Sequence, residues 1–239
     1  MRILALDTAT SATAAAHLDT ATGTEVQARD DPPPGVRPRH TTKLISLLTE
    51  VLQRSGSDWA ELDRIAVGVG PGTFTGLRIG VATARALARA HGVPLVGVST
   101  LQSLALGAAG AEATSVVMPV LDARRGEVFA AAWPARRSAS SCWDPLLAPL
   151  AVTPQSLAEL APQLGADRLA VGDGSVAFRA VLECSGTRVP EDDSELHRVS
   201  AINHCRLAGG QPPQDPAGVR PQYLRLPDAE LARRATQRK

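Results

Sequence analysis

Lysine is almost missing from this chain. Of 239 residues only Lys43 and Lys239 carry it, so lysine-dependent catalysis has almost no candidates. Cysteine is scarce as well: Cys142, Cys184 and Cys205 are scattered and form no CxxC pair. That excludes a disulfide framework and makes a reducing cytosol the expected setting. Aromatic residues are 3% of the chain and the formal net charge is +1, a balance that does not describe a strong nucleic-acid binder with a basic stripe or stacking surface. No apolar run reaches the roughly 18 residues of a membrane span. The N-terminus, MRILALDTAT, offers one basic residue and a short apolar run broken by Asp7. It reads as a buried strand, not a signal peptide, and a cytoplasmic location is expected.

What is present is ordinary globular material, 44% hydrophobic and 21% charged, long enough to bury a sizeable core in one large domain or two small lobes. Apolar strands are expected at Ile3 to Leu6, Thr13 to Leu18 and Glu25 to Ala28. After a proline-rich loop over 30–40, Leu44, Leu47, Leu48 and Val51 recur at helical spacing, with Ile45 and Leu52 widening the stripe. Ile65 to Val69 forms a strand; a second helix follows, with Thr73 as N-cap and Gly92 and Pro94 at its end. Another strand covers Pro94 to Val98, and STLQSLALG opens a third helix. Strands alternating with helices predict an α/β fold.

The second half repeats the opening. ILALDTATSATAAAHL and VVMPVLDARRGEVFAAAW share an apolar run, an aspartate, a turn and a second apolar run, with Asp7 and Asp122 in matching places. Two lobes with one plan are expected, 1–108 and 109–225, followed by a basic, partly disordered tail over 226–239. Within the second lobe the pattern gives a loop over 134–150, a helix from Thr153 to Leu164, a strand from Leu169 to Val171 and a final helix from Ser194 to Leu207.

The stretch GVGPGTFTGLRIGVATARALA, residues 68–88, is the most informative. It is not a Walker A loop, because no lysine followed by Ser or Thr stands after its glycines. It is not a dinucleotide loop either, because Thr73 or Thr75 falls where the third glycine belongs. A weak anion contact at Gly70, Gly72 and Thr73 stays open. Gly76, Gly80, Ala84 and Ala88 recur every four residues and make a smooth face for close packing, which must offset about 1 kcal/mol per helical glycine. The face either packs inside the chain or forms a subunit interface together with the first helix. Asp7 is either a magnesium and phosphate group or a turn aspartate. Asp122, Arg124, Arg125 and Glu127 form either a charged turn or a contact to nucleotide or partner. His197, His204 and Cys205 are spaced by seven and eight residues, which does not describe a metal site.

The glycine stretch, with ILALDTAT, Arg39-His40-Thr41, VPLVGVSTLQSLA, LDARRGEVFAA and PQYLR at 221–225, resembles the TsaB family, also called YeaZ. The resemblance spans nearly the whole chain, with residues 134–215 adding little. Thr73 departs from the serine frequent in the family. The resemblance implies the duplicated actin-like ATPase fold (ASKHA, ribonuclease H-like) in two lobes. It implies a non-catalytic scaffold subunit in making threonylcarbamoyl adenosine of tRNA, with a TsaD-type catalytic subunit, a TsaE-type ATPase and tRNA reached through the complex. In that scheme TsaD acts on adenosine 37 of tRNAs reading codons that begin with A. ATP or ADP with magnesium at the subunit junction is a further implication, with Asp7, Gly70, Gly72 and Thr73 as contacts. TsaD-like enzymes carry a metal-binding H-x-x-x-H pair where this chain has Ser99 to Ser103. The partner surface, which would also serve a homodimer, is expected at Leu44, Leu48, Val51, Gly76, Leu77, Gly80, Val81 and Ala84. The rival readings are an independent actin-like ATPase or kinase and a glycoprotease-like peptidase; the first lacks a phosphate loop and the second a placed catalytic site.

Overall fold

The computed structural model describes residues 1–33, 35–110, 114–135 and 143–225. The tail expected over 226–239 lies outside them. Each lobe is built on one sheet. In the first, β1 (Arg2–Asp7), β2 (Thr13–Asp19) and β3 (Thr24–Asp30) form an antiparallel meander. β4 (Arg64–Gly70) and β5 (Leu95–Ser99) extend it in parallel, giving the order β3-β2-β1-β4-β5. The second lobe repeats this with β6 (Val116–Arg124), β7 (Glu127–Pro134), β8 (Leu147–Val152) and the parallel β9 (Arg168–Val171), in the order β8-β7-β6-β9. A short run at Arg188 pairs with β9 where a fifth strand would lie, Ala170 N donating to Arg188 O at 2.8 Å. A meander continued by parallel strands, made twice, is the duplicated ribonuclease H-like plan of actin-type folds.

Strand alternation sends side chains to opposite faces. Leu4, Leu6, Ile65, Val67 and Val69 meet α1 (His40–Ser55) and α2 (Phe74–His91), while Ile3, Ala5, Ala66, Val96 and Val98 meet the last helix, α7 (Ala201–Gly209). The helix after the first sheet, α3 (Thr100–Ala108), packs Leu101, Leu104 and Ala105 on Val117, Leu121 and Ala131 of the second sheet. Chain order and packing therefore cross twice, α3 serving the second sheet and α7 the first. The outer face of the second sheet is covered from α4 (Pro154–Leu160) and α6 (Arg179–Cys184) by Leu157 and Leu182; α5 (Asp173–Ala177) lies beside β6.

Several expectations need correction. Within 134–150 the described part is not all loop, because β8 starts at Leu147; its half-buried side chains and Pro149 blur the strand pattern. The final helix is split into a 3-10 turn, Glu195–His197, and α7. Arg198 and Ser200 are extended, which puts the β-branched Val199 into the core. The helix expected to reach Leu164 changes to 3-10 geometry over Ala161–Leu164, where Pro162 lacks a donor. Ile45 points outward, 51% exposed.

Candidate functional site

Gly70 ends β4 at φ +114, and the loop after it meets the turn that follows β1. A Cβ on Gly72 would stand 2.4 Å from Ala9 O, one on Gly76 2.0 Å from Thr8 O, and one on Gly80 2.4 Å from Thr8 Oγ1. Thr73 N donates to Ala9 O at 2.7 Å and the Thr8 hydroxyl donates to Gly76 O at 2.7 Å. The glycine face is therefore filled by the chain's own turn, backbone against backbone. This favours the internal packing reading. Thr73 holds the N-cap position of α2 without a side-chain cap bond.

Leu44, Leu48, Val51, Gly76, Leu77, Gly80, Val81 and Ala84 are all buried within this one chain. In the chain by itself they offer little surface to a partner. The outward faces of the same helices are instead carried by Ile45, Ala82 and Ala86, flanked by the half-buried Ile79 and Leu87.

Asp7 also turns inward, and is 2% exposed. Its Oδ1 accepts from Ala9 N at 2.8 Å and its Oδ2 from the Thr100 hydroxyl at 3.2 Å. Across from it His204 Nε2 lies 3.0 Å from Oδ2, at ion-pair distance but not aligned as a hydrogen bond. His204 Nδ1 is 2.8 Å from Ser103 Oγ, which also reaches Ser200 O at 3.2 Å. Gly68 makes room for this cluster, since a Cβ there would fall 1.8 Å from Asp7 Oδ2. The result is a buried Ser-His-Asp cluster assembled from α3, α7 and β1. No local motif reveals it, because Asp7 and His204 are nearly the whole chain apart. Ser103 and His204 are fully buried, so no substrate carbonyl can reach the hydroxyl. Cys205, next in α7, is inert for the same reason: burial pushes its thiol pKa far up.

The equivalent hairpin of the second lobe opens outward. The Asp122 carboxylate accepts from Arg124 N at 2.7 Å and lies 3.1 Å from its guanidinium. The turn that follows holds Arg124 at φ 65 and Arg125 at φ 58 before Gly126 at φ 76. Left-handed backbone costs a residue with a Cβ about 1–2 kcal/mol, so two adjacent arginines there are an expensive choice for a plain turn. Asp122 N donates to Asp173 Oδ1 at 3.0 Å. Gly72, Thr73, Asp122, Arg124 and the terminal run Gln222 to Arg225 line one cleft between the lobes, about 210 Å³ in volume.

Of the anticipated nucleotide contacts, the cleft thus unites Gly72 and Thr73 and leaves Asp7 out. Gly70 is buried, its Cα facing Gln222 O. A magnesium nucleotide does not fit this set: the carboxylate is enclosed and already bonded, and the Thr73 amide is given to Ala9. His197, also weighed as a ligand, accepts from Gly172 N at Nδ1, 3.1 Å, and faces Pro190 O and Glu191 O through Nε2. Among the described residues no group of three His, Cys, Asp or Glu could hold a metal ion, and no helix is long and apolar enough to cross a membrane.

The family model described as "TsaD: tRNA N6-adenosine threonylcarbamoyltransferase" matches residues 25–189. The chain is similar to the tRNA threonylcarbamoyladenosine biosynthesis protein TsaB of Escherichia coli, 35% identical over 74% of either chain. It is also similar to TsaB of Bacillus subtilis, 26% identical over 82% of this chain and 83% of the relative. Among solved structures, YeaZ from Pseudomonas aeruginosa superposes with a TM-score of 0.73 at 25% identity, covering 93% of this chain and all of that one (100%). A 66-residue stretch is 47% identical to a tRNA N6-adenosine threonylcarbamoyltransferase of Geobacillus thermodenitrificans, covering 27% of this chain and 19% of that enzyme. With its twice-made fold, its glycine-packed helix and these relatives, the chain belongs to the TsaB (YeaZ) family of tRNA threonylcarbamoyladenosine biosynthesis proteins.

Proposed function

We propose that the chain is a non-catalytic scaffold subunit that activates a TsaD-type transferase in the cytoplasm, for N6-threonylcarbamoylation of adenosine 37 in tRNAs reading codons that begin with A. A TsaE-type ATPase is the third member of the assembly, and tRNA is engaged through the complex. The observation that carries this reading is the fate of Ser99 and Ser103. Where the related transferases are expected to hold metal-binding histidines, Ser99 accepts from Gln102 N at 3.3 Å as a helix cap and Ser103 is buried against His204. The docking surface is the outward face of α1 and α2 around Ile45, Ala82 and Ala86; it serves the transferase subunit and, in its absence, a second copy.

Reconstitution tests the reading. With an adenylate-forming enzyme, TsaD, TsaE, ATP, threonine, bicarbonate and tRNA, modified adenosine forms only when TsaD is present, and the yield falls sharply without this chain. Product formed without TsaD, or full yield without this chain, contradicts it.

The Ser103-His204-Asp7 cluster is the specific observation on the side of a peptidase. Its enclosure speaks against it: the native chain is expected to resist a fluorophosphonate probe, and labelling at Ser103 would revive the peptidase reading.

A further inference from the structure

The formal charge of +1 is a sum over the whole chain, and it conceals one unbalanced stripe. α2 carries Arg78, Arg85 and Arg89 and no acidic residue. With Ala82 they stand at i, i+4, i+7 and i+11, one row along the helix. Arg78 and Arg89 are exposed and Arg85 is half-buried. The first arginine shows which way the row faces: its Nε donates to Tyr223 Oη at 3.2 Å, and Tyr223 ends a segment that follows the outer edge of β5. Along that segment Gln214 N donates to Leu95 O at 2.8 Å, Val219 joins the first-lobe core and Gln222 N donates to Val69 O at 2.7 Å. Arg220, exposed on the same segment, adds a fourth guanidinium. Against these four, α2 and residues 214–223 offer one carboxylate, Asp215, whose Oδ1 accepts from Ala217 N. Arg29, Arg54, Arg179 and Arg206, elsewhere on the surface, each lie within ion-pair distance of a carboxylate. Among the described residues none of the four arginines of the stripe has such a partner.

From this unpaired charge we infer that the flank of α2 beside the 214–223 segment binds the sugar-phosphate backbone of an RNA stem. The helix rises about 16 Å from Arg78 to Arg89, at about 1.5 Å per residue, enough to meet several phosphates. A phosphodiester chain carries one charge at every nucleotide and so meets arginines at almost any spacing. An acidic protein must instead supply carboxylates in matching register, and on the row itself Ala82 is too small a side chain to anchor one. Arg78 lies 3.9 Å over the Phe74 ring, which holds its guanidinium in place while its Nη groups stay open. RNA stems are recognised largely through phosphates and shape, which asks for no base-reading groups here. The row shares Ala82 with the docking face of α1 and α2, so one RNA can pass from the transferase subunit onto this chain. The choice of RNA as the biological ligand rests on the proposed role in tRNA modification.

Fluorescence anisotropy tests it, with a labelled, unmodified transcript of a tRNA that reads a codon beginning with A, titrated with the full chain and with its complex with TsaD. Four phosphate contacts predict that the contribution of this chain falls about 100-fold between about 50 and 200 mM salt; Arg85→Gln with Arg89→Gln should reduce that fall to about tenfold. Both positions are on the helix surface, so Tm should stay within about 2 °C of the parent's. Arg198→Gln with Arg206→Gln makes the same change in net charge at ion-paired sites and should leave the salt dependence as it is. The inference is overturned if the parent adds no RNA binding, free or in the complex, or if both double variants flatten the curve equally. It is also overturned if the α2 variant keeps the parent's salt dependence for RNA but loses TsaD on size-exclusion chromatography, which would give the stripe to an acidic protein face. Reconstituted modification separates the two claims. If the α2 variant loses RNA binding and the chain remains required, both stand; if the chain is dispensable, the functional reading falls whatever the anisotropy shows.

Discussion

Asp7 and Asp122 stand at the same point of two repeated hairpins, yet the first side chain is 2% exposed and the second 24%. The difference comes from what covers each. The crossing of α7 back to the first sheet brings His204 onto Asp7, and α3 adds Thr100 from the other side. At the second hairpin α5 takes only the backbone of the aspartate, Asp173 accepting from Asp122 N, while the Asp122 side chain faces Arg124 and the cleft. Two hairpins of one plan thus carry one enclosed aspartate and one that remains partly open.

The largest expected contrast is between glycines. Gly80→Leu drives a side chain into Thr8 and should cost more than about 4 kcal/mol, enough to prevent folding. Gly126→Asn, at an open turn position with φ +76 and no atom within 4 Å of a Cβ, should cost under about 1 kcal/mol. Circular dichroism melting of the two variants checks this; a stable Gly80→Leu chain would remove the close-packing account.

Next come the aspartates themselves. Asp7→Ala strips a buried cluster of its acceptor and should destabilise by about 3 kcal/mol, the usual cost of breaking a buried pair. Asp122→Ala, on a partly solvated pair, should stay within about 1 kcal/mol. Urea unfolding at neutral pH gives both numbers, and equal costs would break the comparison.

Much of this contrast could be read in the sequence, but not its decisive part. The matching hairpins, the strands of the first lobe and the inward stripe of α1 follow from local periodicity, which is why Leu44, Leu47, Leu48, Val51 and Leu52 fall where expected, Ile45 excepted. The helical ridge of Gly76 and Gly80 announced close packing but not with what: small residues permit approach by an internal turn and by a partner equally. Asp7 resisted reading for a different reason. Its partners arrive from residues 100 and 204, and nothing local records that the last helix returns to the first sheet. Nor did the low aromatic content show that Phe74, Phe129 and Tyr223 gather in one cleft.

A smaller effect is a pH dependence carried by two histidines on the α1 face of the first sheet. His17 is 1% exposed with neither ring nitrogen bonded, and His40 keeps only Nδ1 on Thr13 Oγ1, 2.8 Å away. Burial lowers both pKa values from the ordinary 6.5, against the pull of Asp19 on His17 and of Asp7 on His40. The unfolded chain then binds more protons below about pH 6.5 than the folded one. Stability is fully present above that pH and is lost as the pH falls through it toward the lowered values. His17→Leu should recover about 2–4 °C of the acid loss in Tm, the shift that 1 kcal/mol makes in a chain this size. Melting curves from pH 8 to pH 5 read it out, and an unchanged acid loss would exonerate His17.

The most direct test of the central claim is Asp7→Asn in the reconstituted modification reaction. Asparagine keeps the shape and an acceptor for Ala9 N, puts an amide NH2 where Oδ2 faced the Thr100 hydroxyl and His204, and removes the charge any magnesium nucleotide would need. If the first hairpin is a structural clamp in a non-catalytic subunit, tRNA modification should proceed within about twofold of the parent rate, in line with removing no transition-state contact, at a temperature where both chains are folded. A collapse of the rate with an unchanged melting curve would show that Asp7 does chemistry, and would contradict the account.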